Sequence, residues 1–261
     1  MPYKTILFSR HQGIGVLTFN RPEVRNAINA LMIEELNACL DEIEDDSDLR
    51  VLILTGTGDC FMSGGDVEMI HAGLKAPYQF FLLHDRLTGF GLRLTRLSIP
   101  VIAAISGPAV GGGLEIALAC DFRIAADTAL LGLPEAGLGI MPGAGGTARL
   151  ARIVGREMAL YMEMTGELID AREARRIGLI STVVSQEDVM TAAEDLAARI
   201  MKNAPASVAA IKRAVTRSAD MPMDDAVDYC QYAALFLSTT EDSREGLEAF
   251  LEKRQPDWAG K

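Results

Sequence analysis

Two short β-rich runs open the chain, Tyr3–Phe8 and Ile14–Phe19, and the polar turn between them carries Gly13, so they are expected to pair as a hairpin. A helical period takes over next. Leu31, Ile33, Leu36, Leu40 and Ile43 fall near 3.6-residue spacing in an amphipathic stretch, Ala30–Ile43, which Asn29 is placed to cap. Beyond an acidic patch, Asp41 to Asp48, the compact apolar run Val51–Leu54 reads as a strand ending at the turn Thr55–Asp59. The same kinds of unit recur: a long helix over Tyr78–Leu97 stopped by Pro100, a buried strand at Val101–Ile105, a helical stretch at Leu114–Ala119 and a strand at Phe122–Ala126. From about Gly146 helix follows helix, at Thr147–Ile153, Arg156–Met164, Ala171–Ile177 and Gln186–Met201, interrupted by the apolar run Leu179–Val184. Ala206–Ser218, Asp224–Leu237 and Thr240–Phe250 complete an all-helical tail. The layout is α/β followed by α, without linker, low-complexity segment or repeat at the level of sequence.

Composition narrows the class. A chain of 261 residues with 49% hydrophobic and 23% charged residues can bury a sizeable core and needs neither disulfides nor metals to fold. The formal net charge of -11 repels nucleic acid and anionic membranes, so neither is expected as a partner. Cys39, Cys60, Cys120 and Cys230 are scattered beside apolar sequence with no CxxC pair, and read as reduced core thiols of a cytoplasmic protein. The start, Met1-Pro2-Tyr3-Lys4, lacks the apolar stretch of a signal peptide, and no apolar run approaches the ~18–20 residues of a membrane span. His11, His71 and His84 show no metal-ligand spacing, so no metal is expected.

Three segments could carry chemistry. In Phe61-Met62-Ser63-Gly64-Gly65-Asp66-Val67, two glycines after a buried strand let the backbone approach a ligand; the plainer reading is a tight turn with Asp66 as a helix cap. In Gly107–Ala119, the triplet Gly111-Gly112-Gly113 precedes a helix whose free N–H groups can face an oxyanion. Glu115 sits in the first turn of that helix, which has no other polar residue, so a buried carboxyl with a raised pKa is expected there. The competing reading is a glutamate that complements the macrodipole. In Leu133–Gly146, Glu135 lies in an apolar loop rich in Gly and Pro, as either a general acid or base or a loop residue tied to backbone N–H groups.

Taken together, Asn20-Arg21-Pro22-Glu23, Ser63-Gly64-Gly65-Asp66, Gly111-Gly112-Gly113-Leu114-Glu115, Pro134-Glu135 and Pro142-Gly143-Ala144-Gly145-Gly146 resemble the crotonase (enoyl-CoA hydratase/isomerase) superfamily. The likeness runs on into Phe250-Leu251-Glu252-Lys253-Arg254 and so covers essentially the whole chain. It implies an α/β fold, a crotonase-like spiral of ββα units over residues 1–197 with an α-helical trimerisation region over 198–261, assembled as a homotrimer or homohexamer. It places an oxyanion hole at the N–H groups of Gly65 and Gly112, the two catalytic carboxylates of a hydratase at Glu115 and Glu135, and an acyl-CoA contact region at Arg25, Ala27, Ser63, Asp66, Val67, Glu68 and Gly143. The implied activity is hydration of a 2-enoyl-CoA. No cofactor is implied, coenzyme A being part of the substrate. Two departures stand out: Gly65 replaces an alanine common in hydratases, and Glu68 stands where they often carry a basic residue. Lys253 and Arg254 are alternative phosphate contacts, and the acyl pocket is expected between Ile70 and Leu94, with Phe80, Phe81 and Phe90.

Rival readings are weaker. Isomerases of the superfamily usually lack a carboxylate matching Glu115. The triplet Gly64-Gly65-Asp66 also resembles hydrolases of the superfamily, which are longer and lack that carboxylate too. Gly143–Ala148 satisfies a GxGxxA dinucleotide pattern, but Pro142 and Gly139 argue against the strand the pattern needs. A non-catalytic binding module would be marked by loss of the carboxylates, and both are present.

Overall fold

In a computed structural model, residues 3–260 are described; Met1, Pro2 and Lys261, at the outer ends of the two expected regions, lie outside them. The main sheet has six strands in the order β1-β2-β3-β4-β6-β9: β1 (Ile6–His11), β2 (Ile14–Phe19), β3 (Val51–Gly56), β4 (Val101–Ile105), β6 (Phe122–Ala126) and β9 (Thr182–Val184). Only the β1–β2 pair is antiparallel, with Ile6 opposite Phe19 and His11 opposite Ile14. Gln12 and Gly13, at φ 50° and 81°, form the hairpin turn, since left-handed backbone at both central positions matches the strands' twist. Val51–Thr55 and Val101–Ile105 are buried throughout, as parallel strands covered on both faces must be.

Helix α1 (Ala30–Asp45) begins at Asn29, whose side chain accepts the Met32 N–H at 2.9 Å, the expected cap. Its buried stripe is Met32, Ile33, Leu36, Cys39, Leu40 and Ile43; Leu31, expected on that stripe, is turned outward. The first strand also differs from expectation. It begins at Ile6 and runs to His11, because the Glu35 carboxylate takes the N–H groups of Lys4 and Thr5 (both 2.8 Å) and the Thr5 hydroxyl (2.6 Å). Those donors are lost to the ladder.

A second, three-stranded sheet, β5-β7-β8, is made of pieces too short for any sequence period to show: β5 (Ala109–Val110), β7 (Leu130–Gly132) and β8 (Ile169–Asp170). It organises the loops described below. The helices α2 (Val67–Gly73), α3 (Pro77–Arg96), α4 (Gly112–Ala119), α5 (Gly146–Val154), α6 (Arg156–Thr165), α7 (Ala171–Arg176), α8 (Val189–Met201), α9 (Pro205–Ser218), α10 (Met223–Leu237) and α11 (Glu241–Glu252) complete the chain. Of the apolar run Leu179–Val184, only its last three residues form a strand; Leu179 and Ile180 are core side chains. Cys39, Cys60 and Cys120 are buried free thiols, whereas Cys230 is exposed on α10, against the expectation that all four lie in the core.

Candidate active site

The short sheet and two isolated bridges draw three distant loops to one place. Met62 bridges Ala109, so the segment Ser63–Gly65 runs beside the glycine triplet, with Met62 N–H to the Pro108 carbonyl at 3.1 Å and Val110 N–H to the Met62 carbonyl at 3.0 Å. Val110 pairs with Gly132, and the Gly111 N–H reaches the Gly132 carbonyl at 2.9 Å, which carries the Pro134-Glu135 loop to the same edge. Two glycines are required by contact as well as by conformation. Gly64, at φ 101°, would place a Cβ 3.0 Å from the Val110 carbonyl oxygen, and Gly111, at φ 54°, would place one 3.0 Å from Glu135 Oε1.

Gly65 bridges Ile28 on one side only. The Ile28 N–H goes to the Gly64 carbonyl and the Asp66 N–H to the Ile28 carbonyl, both at 2.8 Å, leaving the Gly65 N–H aimed away from that partner. No acceptor takes it among the described residues. Gly112 is the first residue of α4, and its N–H belongs to the first helical turn, where no intrahelical acceptor exists. A Cβ on Gly112 would lie 3.7 Å from the Gly65 nitrogen, so the two unclaimed donors are close neighbours.

Glu115 of α4 is 4% exposed. Its Oε1 accepts the N–H groups of Ala144 and Gly146, each at 2.8 Å, at the start of α5. Burial raises its pKa, opposed by those two N–H groups and by the nearby Arg149 guanidinium. Glu135 begins a 3-10 turn, Glu135–Leu138, and its Oε2 is buried with no hydrogen-bond partner. Burial, with repulsion from Glu115 and Glu163 added, pushes its carboxyl up to about 7. The two glutamates thus sit in one site in different states: Glu115 gripped by backbone donors, Glu135 free to hold and release a proton.

Both face a cleft of about 240 Å³ that also takes in Ser63, Gly65, Val67, Gly112 and Gly143. Of the eleven residues expected at the site, these seven converge; Arg25, Ala27, Asp66 and Glu68 stand on adjoining backbone. Arg25, at φ 53°, is exposed, and its carbonyl accepts the Ser63 N–H at 3.0 Å. Ala27 is buried with its carbonyl held by Arg21 at 2.6 Å. The Asp66 carboxylate caps α2 through the Glu68 N–H and pairs with Arg21 at 3.1 Å, so the plainer reading of Asp66 is fulfilled. Glu68 is exposed on α2. Arg254 is committed to Glu245 and Glu252, and Lys253 ends α11 in left-handed backbone.

The acyl-pocket expectation needs correcting for two phenylalanines. Phe80 lines the cleft, but Phe81 is 62% exposed on the outer face of α3 and Phe90 is 0% exposed within the core, because positions one and ten residues on from Phe80 lie on other faces of the helix. Two polar residues near the cleft were not read as part of the site. His84 of α3 lines it. Glu163 of α6 stands behind it, with Oε2 accepting the Thr147 hydroxyl at 2.8 Å and Oε1 buried without a partner. A polar residue on an amphipathic helix reads as solvated, so only the packing of α5, α6 and the Glu135 turn shows that Glu163 stands near Glu135 and helps raise its pKa.

A mixed α/β fold with a glycine-flanked, two-carboxylate cleft and a helical tail defines the crotonase class. A crystal structure of an enoyl-CoA hydratase from Bacillus anthracis superposes with a TM-score of 0.95 at 36% identity, covering 99% of this chain and 100% of that one. A sequence model of the enoyl-CoA hydratase/isomerase family matches residues 9–261. The chain is 39% identical to a short-chain-enoyl-CoA hydratase of Clostridium acetobutylicum, covering 98% of this chain and 97% of the relative. It is 38% identical to a crotonyl-CoA hydratase of Syntrophomonas wolfei over the whole of both chains. The protein belongs to the enoyl-CoA hydratase/isomerase family. No helix among the described residues is long and apolar enough to cross a membrane.

Proposed function

We propose that the protein hydrates 2-enoyl-CoA thioesters, and the observation that carries this reading is the pair Glu115 and Glu135 in one cleft with the unclaimed N–H groups of Gly65 and Gly112. Water adds its oxygen to C3, the π electrons move through C2 to the thioester oxygen as an enolate, and C2 then takes a proton. Gly65 and Gly112 donate to that oxygen; losing one such donor typically costs about 3–4 kcal/mol of transition-state stabilisation. Glu115 holds the water and accepts the proton it sheds as its oxygen bonds C3, Glu135 delivers a proton to C2, and exchange of the gained proton between the two carboxylates restores the site, each group contributing about 10²–10⁴-fold. The strip Ser63–Glu68 with Arg25 and Ala27 contacts the coenzyme A portion and Gly143 the acyl-CoA substrate, with no further cofactor. The relatives' names support this class of substrate.

Isomerisation of 3-enoyl-CoA is the second reading, since a proton carrier such as Glu135 serves it equally; Glu115 favours hydration because an isomerase has no water to hold. We also infer that residues 198–261 assemble the chain into a homotrimer or homohexamer, in the cytoplasm. The test is crotonyl-CoA turnover, followed by loss of the conjugated-enoyl absorbance, in the native chain and in Glu115→Gln and Glu135→Gln. Hydration lost by at least about 100-fold in both variants supports the two-carboxylate mechanism. No hydration of crotonyl-CoA or of longer and aromatic 2-enoyl-CoAs, with turnover of 3-enoyl-CoA, makes the protein an isomerase.

A further inference from the structure

The wall of the cleft away from the glycine loops is built from α2, α3 and the loop after Glu135, and it is almost wholly apolar: Met69, Ile70, Phe80, Leu83, Leu138 and Ile140 are representative. His84 breaks that surface. Its imidazole is half-buried, lines the same cleft as the two glutamates, and lies so close to the Gly143 backbone that a Cβ there would come within 2.7 Å of its Cε1 and 3.0 Å of its Nε2. Phe80 flanks the ring, with centroids 6.2 Å apart. Neither ring nitrogen makes a hydrogen bond to the described residues; the Thr88 hydroxyl, at 3.0 Å, reaches only the main-chain carbonyl of His84. The other polar side chains in the cleft are engaged or catalytic: Ser63 bonds to the Val24 carbonyl at 3.3 Å, and Glu115 and Glu135 do the proposed chemistry.

The ring nitrogens are open to the cleft and so to water while it is empty, and a chain that fills the cleft displaces that water, which is costly unless the chain brings a group that uses them. Resting on the acyl-CoA reading of this site, we propose that His84 is a specificity residue that selects acyl groups carrying an uncharged oxygen function, a hydroxyl or oxo group, along the chain beyond the reacting carbons. Burial lowers the His84 pKa, with Asp85 opposing, so near neutrality the ring is uncharged and offers one donor and one acceptor. A hydroxyl can satisfy either. A carboxylate finds no cation there and meets two glutamates in the same cleft, so an acidic chain end is disfavoured. A plain hydrocarbon chain leaves the imidazole desolvated and unpaired.

The test needs no turnover. Binding of hexanoyl-CoA and of its 4-, 5- and 6-hydroxy counterparts is measured by calorimetry near pH 7.5, in the native protein, His84→Leu and His84→Gln. One neutral hydrogen bond corresponds to about a tenfold preference. The expected result is a preference of that size for at least one hydroxylated ligand, falling to about one in His84→Leu and partly kept in His84→Gln, which retains a donor and an acceptor. An equal ratio in the native protein and in His84→Leu, or no preference at any hydroxyl position, overturns the proposal. Failure of every acyl-CoA to bind the native protein overturns the underlying acyl-CoA reading as well. Binding without discrimination overturns only the role of His84.

Discussion

The Glu135 carboxyl, pushed up to about 7 mainly by burial, gives up its proton near neutrality. Hydration consumes a water and no net proton, so its equilibrium constant does not change with pH. The ratio of forward to reverse kcat/KM is therefore fixed, and both directions must fall together as pH rises past about 7. Initial rates of crotonyl-CoA hydration and 3-hydroxybutyryl-CoA dehydration between pH 5.5 and 9 check this; flat profiles up to pH 9 would contradict it. The same shift has a stability consequence of definite sign. A carboxyl whose folded pKa lies above its unfolded value of about 4.5 leaves the fold unpenalised below that value, and costs stability as pH rises from there to about 7. Glu135→Gln removes that cost. Discounted for the screening that partial exposure allows, it should stabilise the protein by roughly 1 kcal/mol at pH 8 and by little at pH 5, as read by urea unfolding.

Glycines of the same loops differ in what their neighbours permit. A Cβ at Gly65 would meet the end of the Ile70 side chain at 2.9 Å, which can rotate away, so Gly65→Ala should cost under about 1 kcal/mol and keep its N–H in place. A Cβ at Gly113 would drive into the Met62 carbonyl, a backbone atom fixed by its bond from Val110, so Gly113→Ala should cost about 3 kcal/mol or more. Thermal unfolding of the two variants separates them, and equal losses would mean the α4 entrance is laxer than its packing indicates. This contrast also marks the limit of sequence reading. The strands at Val51–Leu54 and Val101–Ile105 are legible as short unbroken apolar runs, and α1 because its apolar residues repeat with the helical period. The two-residue strands β5 and β8 are not, since a partner strand and not a local pattern makes them. Glu115 and Glu135 could be singled out because a carboxylate amid apolar neighbours is costly unless used. The donors that hold Glu115, from Ala144 and Gly146, are backbone groups that carry no sequence signature.

At the scale of the molecule, the tail is tied to the α/β body along one side and bare on the other. Lys212 of α9, with its side chain 8% exposed, reaches Asp121 at 2.8 Å and the Ile99 carbonyl at 2.9 Å. Arg50 of the body bonds the Asn203 carbonyl at 2.8 Å, and within the tail the Trp258 indole donates to the Lys202 carbonyl and buried Asp242 accepts the Ala259 N–H, both at 2.8 Å. On the other side Tyr232, Phe236, Leu247, Phe250 and Leu251 stand between 66% and 81% exposed. Scattered apolar side chains are ordinary on a surface, but large ones gathered on two successive helices are what the proposed assembly of this region would cover. A chain of net charge -11 repels its own copies, so the proposed assembly has to bury enough apolar area on these helices to overcome the charge. Association should therefore strengthen with added salt, which screens the repulsion and leaves apolar burial intact. Sedimentation should show a trimer or a multiple of it for the native chain, and Phe250→Asp with Leu251→Asp should shift it towards monomer with little loss of helix by circular dichroism. A native chain that sediments as a monomer at micromolar concentration would leave these helices without the partner surface their composition calls for.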